Sequence, residues 1–509
     1  MSRLRRLGAT LTASLLAATL SITLVPGQAL ADPTLQPFVP PPPPAPTDSV
    51  LAQEVIALQA MATRLMPVIT AGSGSTLPGP LNGNGRRVSD LALVLAYASV
   101  MPSVVGGTSV NGAWQAQAVT AIDKFTTALL AGDDARLACD PYPYTAAGGN
   151  ASIGVPPHAD CAVPDWTLTT AQIAEAAWAI WPALTPLIQD KVLRTVRLVA
   201  HWTTGLDRTP CPNGVCKAAA PQERGLGDLA WYRDLQQAVM PNRGNNVVNN
   251  GEQENSAAEE LAWHERLLNV AVRMLPGTAY AANVDHYERF QAAMGAHAFA
   301  TTADYSKQVL YNGVPFCKWL KGSNNETSGI VRNHDVRSPV YTRTPHQYAS
   351  WALNGAVRTQ HSPMTLYGVE RAYNALGGSA DGTPYRQNGD VYYPDGDSDN
   401  GGRLTRPAGP AEFTNTLTAA LVLPSGGTAA VRAKAIVTAQ RTKVEQQQAL
   451  DGSFGTNEQG QVALGDYGAN LDAMVKFVQT YFVLGVNQFA KPSGHQRNLG
   501  GIPYAGTAC

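Results

Sequence analysis

The sequence has little net charge: 37 Lys and Arg stand against 38 Asp and Glu, a formal −1 over 509 residues. That balance argues against nucleic acid and against an anionic membrane as partners, since both normally require a net basic face. No second long apolar run follows the one near the N-terminus, so no membrane span is expected downstream. Alternating apolar and polar residues are scarce, which disfavours a β-sheet protein. A Gly-x-Ser-x-Gly elbow, a phosphate loop and a His-Glu-x-x-His site are all missing, so serine-hydrolase, nucleotide and zinc-protease chemistry lose ground.

What is present starts at the N-terminus. Arg3, Arg5 and Arg6 precede an apolar segment at residues 7–24, and Ala29-Leu30-Ala31 places small residues before Asp32. This predicts a signal peptide over residues 1–31 and a secreted, extracellular protein. Residues 32–47 hold an unbroken run from Pro40 to Pro44 and then Pro46, an extended spacer outside the fold. Residues 48–509 are then the functional domain, with enough apolar sequence for a large core. Six cysteines form an even set suited to an oxidising compartment. Their spacing suggests Cys211 with Cys216, Cys139 with Cys161, and Cys317 with Cys509. Zinc at Cys211 and Cys216 would need a second ligand pair that the neighbouring sequence does not supply.

Apolar residues at helical spacing mark helices at 49–69, 88–101, 113–131, 170–183, 187–203, 256–275, 279–298, 345–358, 363–376, 411–423, 428–448 and 469–482. Asp48, Ser49, Thr169, Thr170 and Ser256 are candidate caps, with Ser256 and Glu259 forming a capping box; Gly72, Gly132 and Gly277 are candidate stops. The predicted fold is all-α. So many helices leave too many apolar faces for a small bundle, so antiparallel hairpins closed into an α/α toroid are expected, with the long loops gathered at one end.

Three polar stretches lie in those loops. Between Gly329 and Ala352, Asn333, His334, Arg337, Tyr341, Arg343, His346 and Tyr348 supply an amide, imidazoles, guanidinium groups and phenols, a set able to bind and deprotonate an anionic sugar. Pro339 and Pro345 keep the first part of this stretch from being helix. A second stretch carries Glu252, Glu254 and Glu260, with Trp263 able to support a sugar ring; its acids could pair with Asp228 or Asp395 as hydrolytic carboxylates. The third holds Tyr392 and Tyr393 before Asp395, Asp397 and Asp399, which fit a turn better than a calcium loop because Arg406 stands where the closing acid belongs.

The Asn333-His334 pair followed by a helix with Tyr348 and Trp351 resembles α/α-toroid, six-hairpin carbohydrate-active enzymes, and in particular the single-domain alginate-lyase type of polysaccharide lyase. In that type a Tyr-Trp dipeptide follows the Asn-His pair; here Tyr348 and Trp351 are not adjacent, and no tyrosine closely follows Arg403 and Arg406. The resemblance implies β-elimination on a uronate-containing glycan. Asn333 with Arg337, Arg343 or Arg403 would neutralise the carboxylate, His334 would take the C5 proton, and Tyr341 or Tyr348 would protonate the departing oxygen. Arg337, Arg343, Tyr392, Tyr393, Glu252, Glu254, Glu260 and Trp263 would bind substrate. No metal or cofactor enters this scheme, and the chain is expected to work as a monomer whose partner is the polysaccharide. Hydrolysis by paired carboxylates and a non-enzymatic glycan-binding role are the alternatives.

Overall fold

The structure, a computed structural model, describes residues 46–78, 85–131, 163–204, 257–284, 287, 370, 373–374, 409–423, 425–455 and 466–487, together with three short strand pairs. All of these belong to one compact unit, residues 34–509. The all-α expectation holds for them. The helices are α1 (Ser49–Thr76), α2 (Gly85–Val100), α3 (Gly112–Ala131), α4 (Val163–Ala179), α5 (Pro186–Thr204), α6 (Ala257–Met274), α7 (Pro410–Val422), α8 (Thr428–Gln447) and α9 (Tyr467–Asn487). The strands form three two-residue antiparallel ladders: β1 (Leu310–Tyr311) with β2 (Val314–Pro315), β3 (Arg332–Asn333) with β4 (Val336–Arg337), and β5 (Val391–Tyr392) with β6 (Thr405–Arg406).

Local chemistry sets most helix ends. The Asp48 carboxylate accepts from the backbone N–H of Val50 and Leu51 at 2.9 and 3.3 Å and starts α1, as its type and place predict. Asn111 does the same for α3 through Ala113 and Trp114, both at 3.1 Å. Gly409 N–H donates to Glu412 Oε2 at 3.0 Å at the head of α7. Gly277, at φ 79°, follows α6 in the left-handed conformation that glycine adopts without strain.

Other ends differ from expectation. Helix α1 continues through Gly72 to Thr76, because the glycine there makes room for the Tyr467 ring instead of ending the helix. Thr169 and Thr170 are not caps: α4 begins at Val163, with Pro164 in its first turn, and both threonines are buried inside it. Helix α1 is also apolar enough, by length and composition, to cross a membrane. Its Leu58, Met61, Leu65 and Ile69 are instead packed into the core. The capping box at Ser256 and Glu259, Gly132 and all six cysteines lie outside the described residues or side chains.

The described helices are of two kinds. Residues 88–99 of α2, 167–180 at and beyond the end of α4, and the whole of α7 are buried without interruption, polar side chains such as Gln172 and Asn415 included. By contrast α1, α3, α5 and α8 keep an exposed face, showing Ile56, Leu187 and Val431 to solvent. The buried helices neighbour one another in the order α7, α9, α2, α4, α6. On the covering side α8 lies beside α1, and α3 beside α5.

Named contacts give the directions. Asp48 pairs with Lys434 at 2.6 Å, Glu54 with Arg441 at 3.4 Å, and Gln448 donates to the Met61 carbonyl at 2.9 Å. These contacts climb α1 and α8 together, so the two run parallel. Arg86 meets Asp472 at 3.6 Å and Tyr97 stacks on Phe482 at 4.7 Å, so α2 and α9 are parallel too. Helices α8 and α9, the last two among the described residues, therefore pack beside α1 and α2. Arg432 adds a neighbour by donating to the carbonyls of Tyr373 and Asn374 at 2.8 and 2.6 Å. A large apolar cluster joins these helices, with Phe125, Phe413, Phe454, Phe477 and Phe482 essentially solvent-free. Each such ring contributes roughly 1.5–3 kcal/mol of burial.

Candidate functional site

The site expected from sequence centres on the β3–β4 ladder. Its register pairs Arg332 with Arg337 and Asn333 with Val336, which brings the Asn333 and Arg337 backbones within one ladder step. His334 joins the strands in sequence and lies outside the described residues, as do Tyr341, Arg343, His346 and Tyr348. Tyr392 sits in the second relevant ladder, paired with Thr405. Tyr393, Arg403, Asp395, Asp397 and Asp399 are outside the described residues.

Of the second stretch, Glu260 and Trp263 fall on α6, one turn apart; Glu252 and Glu254 are outside the described residues. Trp263 is 8% exposed and belongs to the main core cluster. Its indole N–H is buried with no acceptor among the described residues. A place near a helix start suggests a rim position, whereas the packing of α6 against α4 and α5 covers the ring.

The polar chemistry that the described residues do bring together is elsewhere, at the shared N-terminal end of α2 and α9. Ser89 donates its hydroxyl to Gln172 Oε1 at 2.7 Å, and Gln172 Nε2 donates to Asp90 Oδ1 at 2.7 Å. Arg86 lies between two carboxylates, 3.9 Å from Asp90 and 3.6 Å from Asp472. Lys476 in turn bonds Asp472. Arg87 and Asp466, 3.8 Å apart, continue the network toward solvent. Burial pushes Asp90 up to about 7; the nearby Asp472 also raises it, while Arg86, the Gln172 amide and Lys476 pull the other way. A carboxyl that exchanges its proton near neutrality is a candidate functional group on physical grounds.

A second buried pair joins α4 to α6. Arg266 Nε donates to Glu175 Oε1 at 2.9 Å and Nη2 bonds the other oxygen, with both residues buried. This fork-to-fork geometry is the strong form of the interaction. Neither network follows from residue spacing. The signal for them was a charged or amide residue inside an otherwise apolar helix: Asp90 before Leu91–Ala96, Glu175 among alanines, and Lys476 between Met474 and Phe477. Such a residue is rarely left uncompensated. Among the described residues no group of three or more His, Cys, Asp or Glu could hold a metal ion.

No family model matches the chain, and no curated protein and no solved structure matches it.

Proposed function

We propose that the chain is a secreted carbohydrate-active enzyme, built as an α/α toroid, that cleaves a uronate-containing polysaccharide by β-elimination. The observation that carries this reading is the β3–β4 ladder, which keeps an amide and a guanidinium, Asn333 and Arg337, on two paired strands with His334 between them in sequence. In this reading Asn333, with Arg337, Arg343 or Arg403, would neutralise the uronate carboxylate and stabilise the charge that develops as the C5 proton leaves. His334 takes that proton, the C–H electron pair forms the C4–C5 double bond, and the C4–O bond breaks. Tyr341 or Tyr348 returns a proton to the departing oxygen. Arg337, Arg343, Tyr392 and Tyr393 hold substrate. The toroid is supported by the neighbour order of the buried helices and by the contact of α9, from the C-terminal part of the chain, with α2.

Hydrolysis by paired carboxylates, Glu252, Glu254 or Glu260 with Asp228 or Asp395, is the second reading. Incubating the protein with a panel of uronate-containing and neutral polysaccharides separates the readings. Elimination gives unsaturated-product absorbance together with new reducing ends; hydrolysis gives reducing ends alone. Silence in both channels on every polymer overturns the enzymatic proposal.

A further inference from the structure

We propose that Asp90 is a proton-dependent latch at the joint of α2 with α4 and α9, sealing these helices together when protonated and loosening them when ionised. The joint is made by three helices of which two, α2 and α9, come from opposite ends of the chain and pack in parallel. Asp90 sits inside it, 4% exposed. One donor serves its carboxyl, the Gln172 amide at 2.7 Å, and that amide is fixed because its oxygen accepts from Ser89.

The charges around it compensate poorly. From its own helix Arg86 approaches only to 3.9 Å, beyond hydrogen-bond reach, is 38% exposed at the side chain, and is shared with Asp472. Helix α9 contributes Asp472, whose charge opposes ionisation of Asp90, and Lys476, which bonds Asp472. It also contributes Tyr467, whose phenol burial pushes up to about 12, so that it stays neutral. From α4 the facing group is the uncharged Gln172. A carboxylate formed at position 90 is thus buried with one hydrogen bond and a distant, divided cation, which is costly. Burial holding Asp90 near 7 agrees with this. Because the folded value lies above the unfolded one, the stabilisation is complete in acid and is lost as pH rises through about 7.

Denaturant titrations and native-state hydrogen exchange on the full chain, from pH 5 to 8, test the latch. In the unmodified protein the amides of α2 and α9 should exchange at least about tenfold more readily, in equilibrium terms, at the upper end. Asp90→Asn should remove that pH-linked part. Arg86→Gln withdraws the cation and should move the window to higher pH, whereas Asp472→Asn withdraws the repelling carboxylate and should move it lower. A general packing defect does not shift the window in opposite directions, so these two variants decide the matter even where Asp90→Asn folds poorly. Full pH dependence in Asp90→Asn, or a window unmoved by both neighbours, overturns the proposal.

Discussion

Gly72 and Tyr467 are in direct contact: the aromatic ring lies where a Cβ on Gly72 would stand, and the phenol donates to the Ile69 carbonyl at 3.0 Å. A glycine inside a helix costs up to about 1 kcal/mol relative to alanine, so Gly72→Ala would ordinarily stabilise α1. Here it should destabilise, by about 1–3 kcal/mol, because the ring must move out of a packed joint. Denaturant melts of Gly72→Ala, Tyr467→Ala and the double variant check this. The double variant should recover part of the sum, since removing the ring removes the clash.

Glu175 and Arg266 offer a sharper test of buried charge. Arg266→Met leaves a carboxylate enclosed between α4 and α6 and should cost about 3–5 kcal/mol. Replacing both, with Glu175→Leu added, should restore most of the loss, because two apolar side chains need no compensation. Additive losses in this cycle would show that the pair is not the unit that matters.

The helical character was legible in the sequence because apolar spacing reports it directly. Boundaries were less legible. Gly72 resembles a stop in isolation, and only its tertiary neighbour Tyr467 shows why a glycine sits mid-helix. The paired strands at Asn333 and Arg337 are two residues each, too short for alternation to mark them. Asp90 and Lys476 interrupt apolar runs, and a periodicity scan passes over them as ordinary breaks. Their meaning lies in partners on other helices, which no local pattern encodes. For the candidate site the sequence supplied proximity along the chain, Asn333 beside His334, but not the distances that elimination requires.

Glu54 gives a second pH dependence, at the seam between α1 and α8. Burial pushes its carboxyl up, with Arg441 and Thr438 opposing and Glu445 adding to the rise. The folded value therefore exceeds 4.5, so its contribution to stability is whole below that pH and is lost as pH rises through the folded value. Glu54→Gln should flatten the loss of stability between acid and neutral pH. The variant should gain relative to the unmodified protein at pH 7 and not at pH 4, as read from paired melting curves. An equal offset at both pH values would instead indicate a packing change.

The last expectation concerns which groups carry the reaction. Elimination asks His334 for a base and Asn333 for charge neutralisation, so His334→Ala and Asn333→Ala should each lower turnover by about two to four orders of magnitude. Glu252→Gln and Glu254→Gln should then act mainly on KM, because amides retain most hydrogen bonds to sugar hydroxyls. Hydrolysis reverses the ranking, since a carboxyl must donate the proton and a carboxylate must activate water, and an amide does neither. Each variant needs a melting curve beside its rate, because a polar residue that only holds a ladder would lower stability and activity together. A stably folded Asn333→Ala, His334→Ala double variant with undiminished turnover would remove the β3–β4 hairpin from the chemistry, whatever the polysaccharide.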